Sequence, residues 1–130
     1  MKILLDTQAF IWLVNDDSRL GLAAKKKALL TKNKVFISYL SFFEMTVKAS
    51  VGKLEFDVSI MEDLDKMGIS LLAGNKQSLS VYRVFNEKNK DPFDNFLIAT
   101  AIVNNLVLMS SDQAILSTKI TGLKVIDVRK

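Results

Sequence analysis

The chain has 130 residues, of which 49% are hydrophobic and 25% are charged, with five Gly and one Pro. This length predicts one domain over residues 1–130 with its own hydrophobic core, and the composition excludes disordered and collagen-like classes. The sequence contains no Cys and no His. Disulfides, thiol nucleophiles, cysteine or histidine zinc sites and histidine general bases are therefore excluded.

Eighteen basic and fourteen acidic residues leave a net charge of +4, which permits a polyanionic partner without requiring one. The N-terminus reaches Asp6 after only a few apolar residues, unlike a secretory signal. No uncharged apolar run approaches the ~20 residues that span a bilayer. The sequence thus predicts a soluble, cytoplasmic protein that does not contact a membrane.

Short apolar runs alternate along the chain with segments of helical periodicity. The predicted strands are 3–5, 35–37, 69–72, 106–109 and 124–128. The predicted helices are 9–14, 20–30, 40–51, 60–67, 78–85 and 92–105, with one helical turn at 112–116. Because the strands are mostly apolar and helices separate them, the pattern predicts an α/β fold with a mainly parallel sheet between helical layers. The polar segment 86–90 is expected to be an exposed loop before the helix at Pro92.

Two acidic residues follow predicted strands. Asp6 comes directly after the strand at 3–5, and Asp112 comes shortly after the strand at 106–109. In open α/β sheets, ligands bind at the carboxyl ends of the strands. We therefore expect both carboxylates to lie beside a binding site.

Two further acidic residues, Glu44 and Asp94, have apolar residues around them at helical spacing. These neighbours are Leu40, Val47 and Val51 for Glu44, and Leu97, Ile98 and Ala101 for Asp94. The offsets place both carboxylates in the apolar stripe of a helix. Two ionised carboxylates ~4 Å apart repel by about 4 kcal/mol at an effective dielectric constant of about 20, so converging carboxylates need a cation. With oxygen ligands as the only candidates, Mg²⁺ or Mn²⁺ fits better than zinc.

Each of these acidic residues also has an ordinary structural explanation. The alternatives are a capping box from Ser41 to Glu44, a helix start at Asp91 with Pro92 and Asp94 behind it, a helix cap at Asp112, and a surface ion pair of Glu44 with Lys48. Helix caps are commoner than metal sites, so a structural explanation is preferred for each acidic residue taken singly. For the group of four, both interpretations stay open. Capping does not explain why two helical carboxylates fall in apolar stripes.

Four segments carry a family resemblance in register. They are Leu4-Leu5-Asp6-Thr7 with Ala9 and Trp12, Ser41-Phe42-Phe43-Glu44-Met45 with Lys48 and Gly52-Lys53-Leu54, Asp91-Pro92-Phe93-Asp94 with residues 97–101, and Leu108-Met109-Ser110-Ser111-Asp112. With these segments the sequence resembles the PIN-domain ribonucleases, specifically the VapC-like toxins of type II toxin–antitoxin modules. The resemblance runs almost from end to end.

The resemblance implies a three-layer α/β/α PIN-like fold with a parallel sheet of about five strands. It also implies an endoribonuclease that uses Mg²⁺ or Mn²⁺, with Asp6, Glu44, Asp94 and Asp112 as the catalytic, metal-binding quartet. Auxiliary roles would fall to Asp91, Thr7 and Ser110. Lys48, Lys53, Lys88 and Lys90 are candidates for RNA-backbone contacts because of their positions near Glu44 and Asp91, and a solvated surface is the ordinary alternative for any lysine. A homodimer and a cognate antitoxin that blocks the acidic pocket complete the expectation.

Three positions depart from the resembling subgroup. Gln8 and Asn89 stand where it often has His, and Asn95 stands where it often has Arg, which bears on substrate preference. A catalytically degenerate PIN domain that binds without cutting remains an alternative. A phosphoacceptor receiver domain is disfavoured, because it requires an acidic pair after the first strand and Asp6 is followed by Thr7 and Gln8.

Overall fold

Five parallel strands form one sheet. A computed structural model describes residues 1–30, 32–85 and 91–130. The strands are β1 (Lys2–Leu5), β2 (Lys34–Ser38), β3 (Ile69–Leu72), β4 (Val107–Ser110) and β5 (Lys124–Asp127). They lie in the order β3-β2-β1-β4-β5, and every neighbouring pair is parallel. The prediction of a parallel five-stranded sheet is confirmed.

Helices cover both faces of this sheet. They are α1 (Thr7–Val14), α2 (Leu22–Leu29), α3 (Tyr39–Ser50), α4 (Leu64–Met67), α5 (Lys76–Phe85), α6 (Pro92–Val103) and α7 (Gln113–Leu116), and a 3-10 turn at Val58–Asp63 precedes α4. Successive side chains of a strand point to opposite faces. Ile3 and Leu5 therefore pack in one hydrophobic cluster with residues of α1 to α4, whereas Leu4 packs in the other with residues of α5 to α7.

The start of α3 differs from the capping box considered above. The helix begins at Tyr39, because the Ser38 side chain caps it by accepting a hydrogen bond of 3.1 Å from the Leu40 backbone N–H. Ser41 is buried inside the helix, so the capping box from Ser41 to Glu44 is wrong.

The buried face of α3 also differs from the apolar stripe assigned to it. Ser41, Phe42 and Met45 are its buried residues, while Val47 and Val51 are exposed. The assignment of Val47 and Val51 to a core stripe around Glu44 is therefore wrong, because α3 packs on the sheet through the face that carries Phe42 and Met45.

The other predicted elements are present with shifted ends. The fourth strand begins at Val107 and includes Ser110, and the helix predicted at 60–67 is a 3-10 turn followed by α4. The segment 86–90 lies outside the described residues. Within the described ranges, no helix has the length and hydropathy needed to cross a membrane.

The order of the strands creates a switch point. From β1 the chain first adds β2 and β3 on one side and then returns to add β4 and β5 on the other. Parallel α/β sheets form a crevice at the carboxyl ends of the two strands where the order reverses, which are β1 and β4 here.

Candidate active site

Asp6 and Asp112 flank the switch point between β1 and β4. Leu5 pairs with Met109 in the sheet, and the Asp6 backbone N–H donates a hydrogen bond of 2.9 Å to the Met109 carbonyl. Asp112 follows the end of β4 at Ser110. Both carboxylates therefore leave the sheet at the same edge.

A cavity of about 450 Å³ lies at this edge. Its wall includes all four acidic residues of the predicted quartet, together with Asp91: they are Asp6, Glu44, Asp91, Asp94 and Asp112. Thr7, Lys48 and Lys53 also line it, whereas Lys88, Lys90 and Asn89 lie outside the described residues. Carboxylates from four separate segments of the chain thus share one cavity with two lysines.

Asp6 is the most deeply buried of these carboxylates, with 5% of the residue exposed. It is the N-cap of α1, and its Oδ1 accepts a hydrogen bond of 2.7 Å from the Ala9 backbone N–H. Burial raises the pKa of Asp6 to about 6, and the charge of Asp112 acts in the same direction against hydrogen bonds from Ser110, Ala9 and Ser111. Asp6 is therefore a carboxylate that favours a nearby cation.

Asp112 is held at the start of the short helix α7. Its Oδ1 accepts hydrogen bonds of 2.8 Å from the Ala114 N–H and 3.3 Å from the Ile115 N–H. Its own backbone N–H donates a hydrogen bond of 2.9 Å to Ser110 Oγ. Since Ser110 is fully buried and also hydrogen-bonds Asp6, its hydroxyl fixes the positions of both acids.

Asp91 and Asp94 enter the cavity from the start of α6. Asp91 Oδ1 accepts hydrogen bonds of 2.9 Å from the Phe93 N–H and 3.2 Å from the Asp94 N–H, and Pro92 takes the first helical position. Asp94 is half-buried in the first turn of α6, on the same side of the helix as buried Leu97. The spacing of the apolar residues that follow Asp94 predicted this position. The helix start proposed as the ordinary explanation is present, and it coexists with a place on the cavity wall.

Glu44 is held by hydrogen bonds at both of its carboxylate oxygens. Thr7 Oγ1 donates a hydrogen bond of 2.6 Å to Oε1, and Lys48 Nζ donates one of 2.9 Å to Oε2. The Glu44 side chain is 12% exposed and that of Lys48 is 50% exposed. The hydrogen bond to Glu44 raises the pKa of Lys48, against its partial burial, and the charges of Asp91 and Asp94 add to the rise. The ion pair between Glu44 and Lys48 therefore forms part of the cavity wall.

The donor set of the cavity fits a hard divalent cation. The acidic residues of the cavity offer carboxylate oxygens, which are the ligands that Mg²⁺ and Mn²⁺ prefer. In the parts of the chain that the structure describes, no three acidic side chains are grouped so as to hold one ion together. Mg²⁺ usually keeps several waters and binds through one or two carboxylates, so these residues suit an ion held partly through water.

Two apolar residues of the cavity wall were not identified from the sequence. Ile11 and Leu54 line it together with the charged groups. Their spacing in the sequence does not distinguish them from ordinary core residues, because Ile11 lies within a predicted helix and Leu54 lies shortly after the end of another. Leu54 belongs to the segment Gly52-Lys53-Leu54 of the family resemblance, which was the one signal for it, and no signal in the sequence would have found Ile11.

Comparisons with known proteins relate this architecture to one family. The PIN domain family model matches residues 3–120. Among curated proteins, no match to the chain is found.

Solved structures from three bacteria have the same fold. VapBC-1 from nontypeable Haemophilus influenzae is 23% identical with a TM-score of 0.69, and the alignment covers 100% of both chains. A toxin–antitoxin complex from Klebsiella pneumoniae is 17% identical with a TM-score of 0.61, covering 93% of this chain and 94% of that one. FitAcB from Neisseria gonorrhoeae is 17% identical with a TM-score of 0.61, covering 98% of this chain and 97% of that one. The fold expected from the four motifs is confirmed.

Proposed function

We propose that this chain, which belongs to the PIN domain family, is a divalent-metal-dependent endoribonuclease and the toxin of a type II toxin–antitoxin module. PIN domains are nucleases that generally use divalent metal ions. The observation that carries the proposal is the single cavity lined by Asp6, Glu44, Asp94 and Asp112 at the carboxyl edge of the sheet.

Each carboxylate has a role in the proposed cleavage. Asp6, Asp94 and Asp112 hold Mg²⁺ or Mn²⁺, directly or through water. When bound, the ion acidifies water and neutralises charge on the phosphodiester oxygens. Glu44, fixed by Thr7 and Lys48, binds a second ion or orients the attacking water. Asp91 keeps the start of α6 in place and assists the metal site.

The proposed substrate is single-stranded or looped RNA. Lys48 and Lys53 line the cavity and are placed to contact the phosphate backbone. Lys88 and Lys90, which lie outside the described residues, are proposed to extend this contact because they precede Asp91 in the chain. The proposed site of action is the cytoplasm, where RNA substrates are present.

A cognate antitoxin is the proposed protein partner. Two of the structures with this fold are described as a VapBC and a toxin–antitoxin complex. An Arg or Lys of the antitoxin would enter the acidic cavity, since charge-assisted hydrogen bonds to several carboxylates are among the strong ones. The antitoxin would thereby block the metal site.

The toxin is also proposed to be a homodimer. Tyr39, Phe43, Val47 and Val51 are large apolar residues exposed at intervals of four along α3 and its C-terminal end. Residues four apart share one side of a helix, so these form an apolar stripe that a second copy could cover.

The nuclease proposal is tested with purified protein and a mixed RNA substrate. We expect cleavage with Mg²⁺ or Mn²⁺, loss of cleavage in EDTA, and loss in Asp6→Asn and Asp94→Asn. Asp65→Asn removes an exposed carboxylate from α4 and serves as the matched control. Equal RNA degradation with EDTA and in Asp6→Asn would refute the proposed chemistry.

The toxin proposal requires an experiment in cells. Induced expression is expected to arrest growth, and Asp112→Ala is expected to relieve the arrest at equal protein level. Toxicity that is unchanged in Asp112→Ala would remove Asp112 from the proposed active site.

A second candidate function is a PIN domain that binds RNA or metal without cutting, in RNA processing or regulation. Two observations favour it. Thr7 and Lys48 already hydrogen-bond both carboxylate oxygens of Glu44. Among the described residues, no three acidic side chains are grouped so as to hold one ion together. Metal binding together with intact RNA in every assay would support this alternative over the nuclease.

A further inference from the structure

A second cavity, of about 240 Å³, lies beside the acidic one. Ile11 and Leu54 line both cavities, so these two side chains form a common wall. We propose that the second cavity is a subsite for one unpaired nucleobase of the RNA, next to the phosphate that enters the acidic cavity. The inference rests on the proposed nuclease function and adds to it a determinant of substrate sequence.

An aromatic ring is available in this cavity for stacking. Phe56 is half-buried and lines it. Its ring lies 6.1 Å from that of Phe42 at an interplanar angle of 32°, and the Phe42 ring lies 5.4 Å from that of Phe10 at 78°. Phe10 and Phe42 are buried, so the core fixes Phe56 while leaving part of its ring accessible. Unpaired bases of RNA are recognised by stacking on aromatic side chains held in this way.

The backbone connects the two cavities over four consecutive residues. Lys53 and Leu54 line the acidic cavity, and Leu54, Glu55 and Phe56 line the second one. Lys53 is exposed, and it makes no ion pair with any residue that the structure describes. A nucleotide whose phosphate contacts Lys53 would therefore place its base past Leu54 and against Phe56.

The rim of the second cavity favours a base over a phosphate. Glu55, Asp57 and Asp63 bring carboxylates to it, and these repel phosphate groups. The Asp57 carboxylate already accepts a hydrogen bond of 2.9 Å from the Ser59 N–H, whereas Asp63 makes no side-chain capping bond at the start of α4. An ionised carboxylate only accepts hydrogen bonds. The subsite should therefore prefer adenine, cytosine or guanine, which carry an exocyclic amino donor, over uracil, whose ring N3–H donor lies between two carbonyl oxygens that a carboxylate repels.

Cleavage of a random-sequence RNA pool by the full chain tests this subsite. We expect the wild-type protein to disfavour uracil at one fixed position relative to the cut. Phe56→Leu keeps an apolar side chain but removes the ring, and it should lower kcat/KM about tenfold on preferred sequences while leaving uracil-containing ones nearly unchanged. Asp63→Asn should reduce the discrimination against uracil. Tyr82→Leu, in the hydrophobic cluster on the other side of the sheet, is the matched loss of an aromatic ring.

Two outcomes of this assay would overturn the subsite and leave the nuclease standing. One is cleavage without a base preference at any position. The other is an equal loss of kcat/KM on all sequences in Phe56→Leu, because a merely structural role of the ring would lower every rate together.

A binding measurement separates the subsite from the nuclease proposal. Nuclear magnetic resonance spectra of the metal-free chain are recorded during titration with guanosine 5′-monophosphate and with uridine 5′-monophosphate. Larger shifts of the Leu54 and Ile60 methyl signals with the guanosine nucleotide support the subsite, even if no RNA is cleaved. Equal shifts with both nucleotides, or none at these methyl groups, overturn it.

Discussion

The hydroxyl of Thr7 donates a hydrogen bond of 2.6 Å to Glu44 Oε1 and so joins the first turn of α1 to α3 across 37 residues of sequence. Lys48 Nζ holds the other oxygen of the same carboxylate at 2.9 Å. Glu44 is therefore fixed from two directions, once by a neutral donor and once by a cation. These two contacts have different expected effects on activity and on metal binding.

Replacing Thr7 by Val should release one oxygen of Glu44 while nearly preserving the shape of the side chain. A hydrogen bond to a charged group contributes roughly 1.5–3 kcal/mol, so we expect kcat to fall about 10- to 100-fold with little change in KM. Steady-state kinetics on a defined RNA measures both constants.

Thr46→Val is the matched control for Thr7→Val. Thr46 lies on α3, the helix that carries Glu44, but its hydroxyl donates a hydrogen bond of 2.8 Å to the Phe42 carbonyl. Its kcat should stay close to that of the wild type. A fall in kcat of equal size in both variants would show that the Thr7 contact has no specific role.

Replacing Lys48 by Met should tighten the binding of Mn²⁺. The ammonium competes with an added cation for the charge of Glu44, and its half-exposed position limits the effect to about 1 kcal/mol, or roughly fivefold in Kd. Isothermal titration calorimetry without RNA measures this change. Lys66→Met removes an exposed lysine from α4 as a control. Weaker Mn²⁺ binding in Lys48→Met would mean that Lys48 holds Glu44 in the geometry that binds metal.

Replacing Asp6 by Asn should make the metal-free protein more stable at neutral pH. Burial raises the pKa of Asp6 from 3.8 to about 6, so between these values the folded chain keeps a proton that the unfolded chain has lost. The free energy of unfolding therefore falls as pH rises through this window, by up to about 3 kcal/mol. Asn carries no charge and also caps a helix well.

The stability difference between Asp6→Asn and the wild type should accordingly grow from pH 4 to pH 7. Urea unfolding in EDTA at several pH values measures this difference, with Asp65→Asn as the control for loss of a surface charge. A difference that does not change with pH would contradict the effect of burial on Asp6.

The two possible roles of Asp91 can be separated by two substitutions. Asp91→Ala removes the cap of α6 and should destabilise the protein by about 1 kcal/mol, whereas Asp91→Asn preserves the cap within a few tenths. Thermal unfolding should show a lower Tm for Asp91→Ala alone. If Asp91 also assists the metal, Asp91→Asn should weaken Mn²⁺ binding without changing Tm. Equal Tm values for Asp91→Ala and the wild type would refute the capping role.

The parallel sheet could be predicted because local pattern and tertiary structure agree in this part of the chain. Ile3, Leu4 and Leu5 are all buried, as expected of a central strand covered on both faces. Asp94 could be placed near the protein interior for the same reason, since its neighbours Leu97 and Ile98 are buried at helical spacing. The spacing of apolar residues predicts which residues are buried where nearly every side of a helix or strand is covered.

Periodicity was misleading for α3. Apolar residues lie on two sides of this helix: Phe42 and Met45 pack into the core, whereas Val47 and Val51 stay exposed. Spacing alone does not state which side meets the sheet. That depends on the direction in which the chain leaves β2 at Ser38.

The sequence by itself determined the class of fold and placed Asp6, Asp94 and Asp112 near one site, because these follow from local patterns of apolar and acidic residues. Glu44 also lies on the cavity that the other three line, but the apolar stripe that first selected it is wrong, so only its place in the family resemblance supported it. The spacing of four residues also allowed the ion pair of Glu44 with Lys48 to be predicted. Only the tertiary structure decided that Thr7 contacts Glu44 and that Ile11 and Leu54 form a wall shared by two cavities. These contacts join residues far apart in sequence. Their geometry depends on how the crossovers bring α1, α3 and the segment after α3 together, which short-range spacing does not encode.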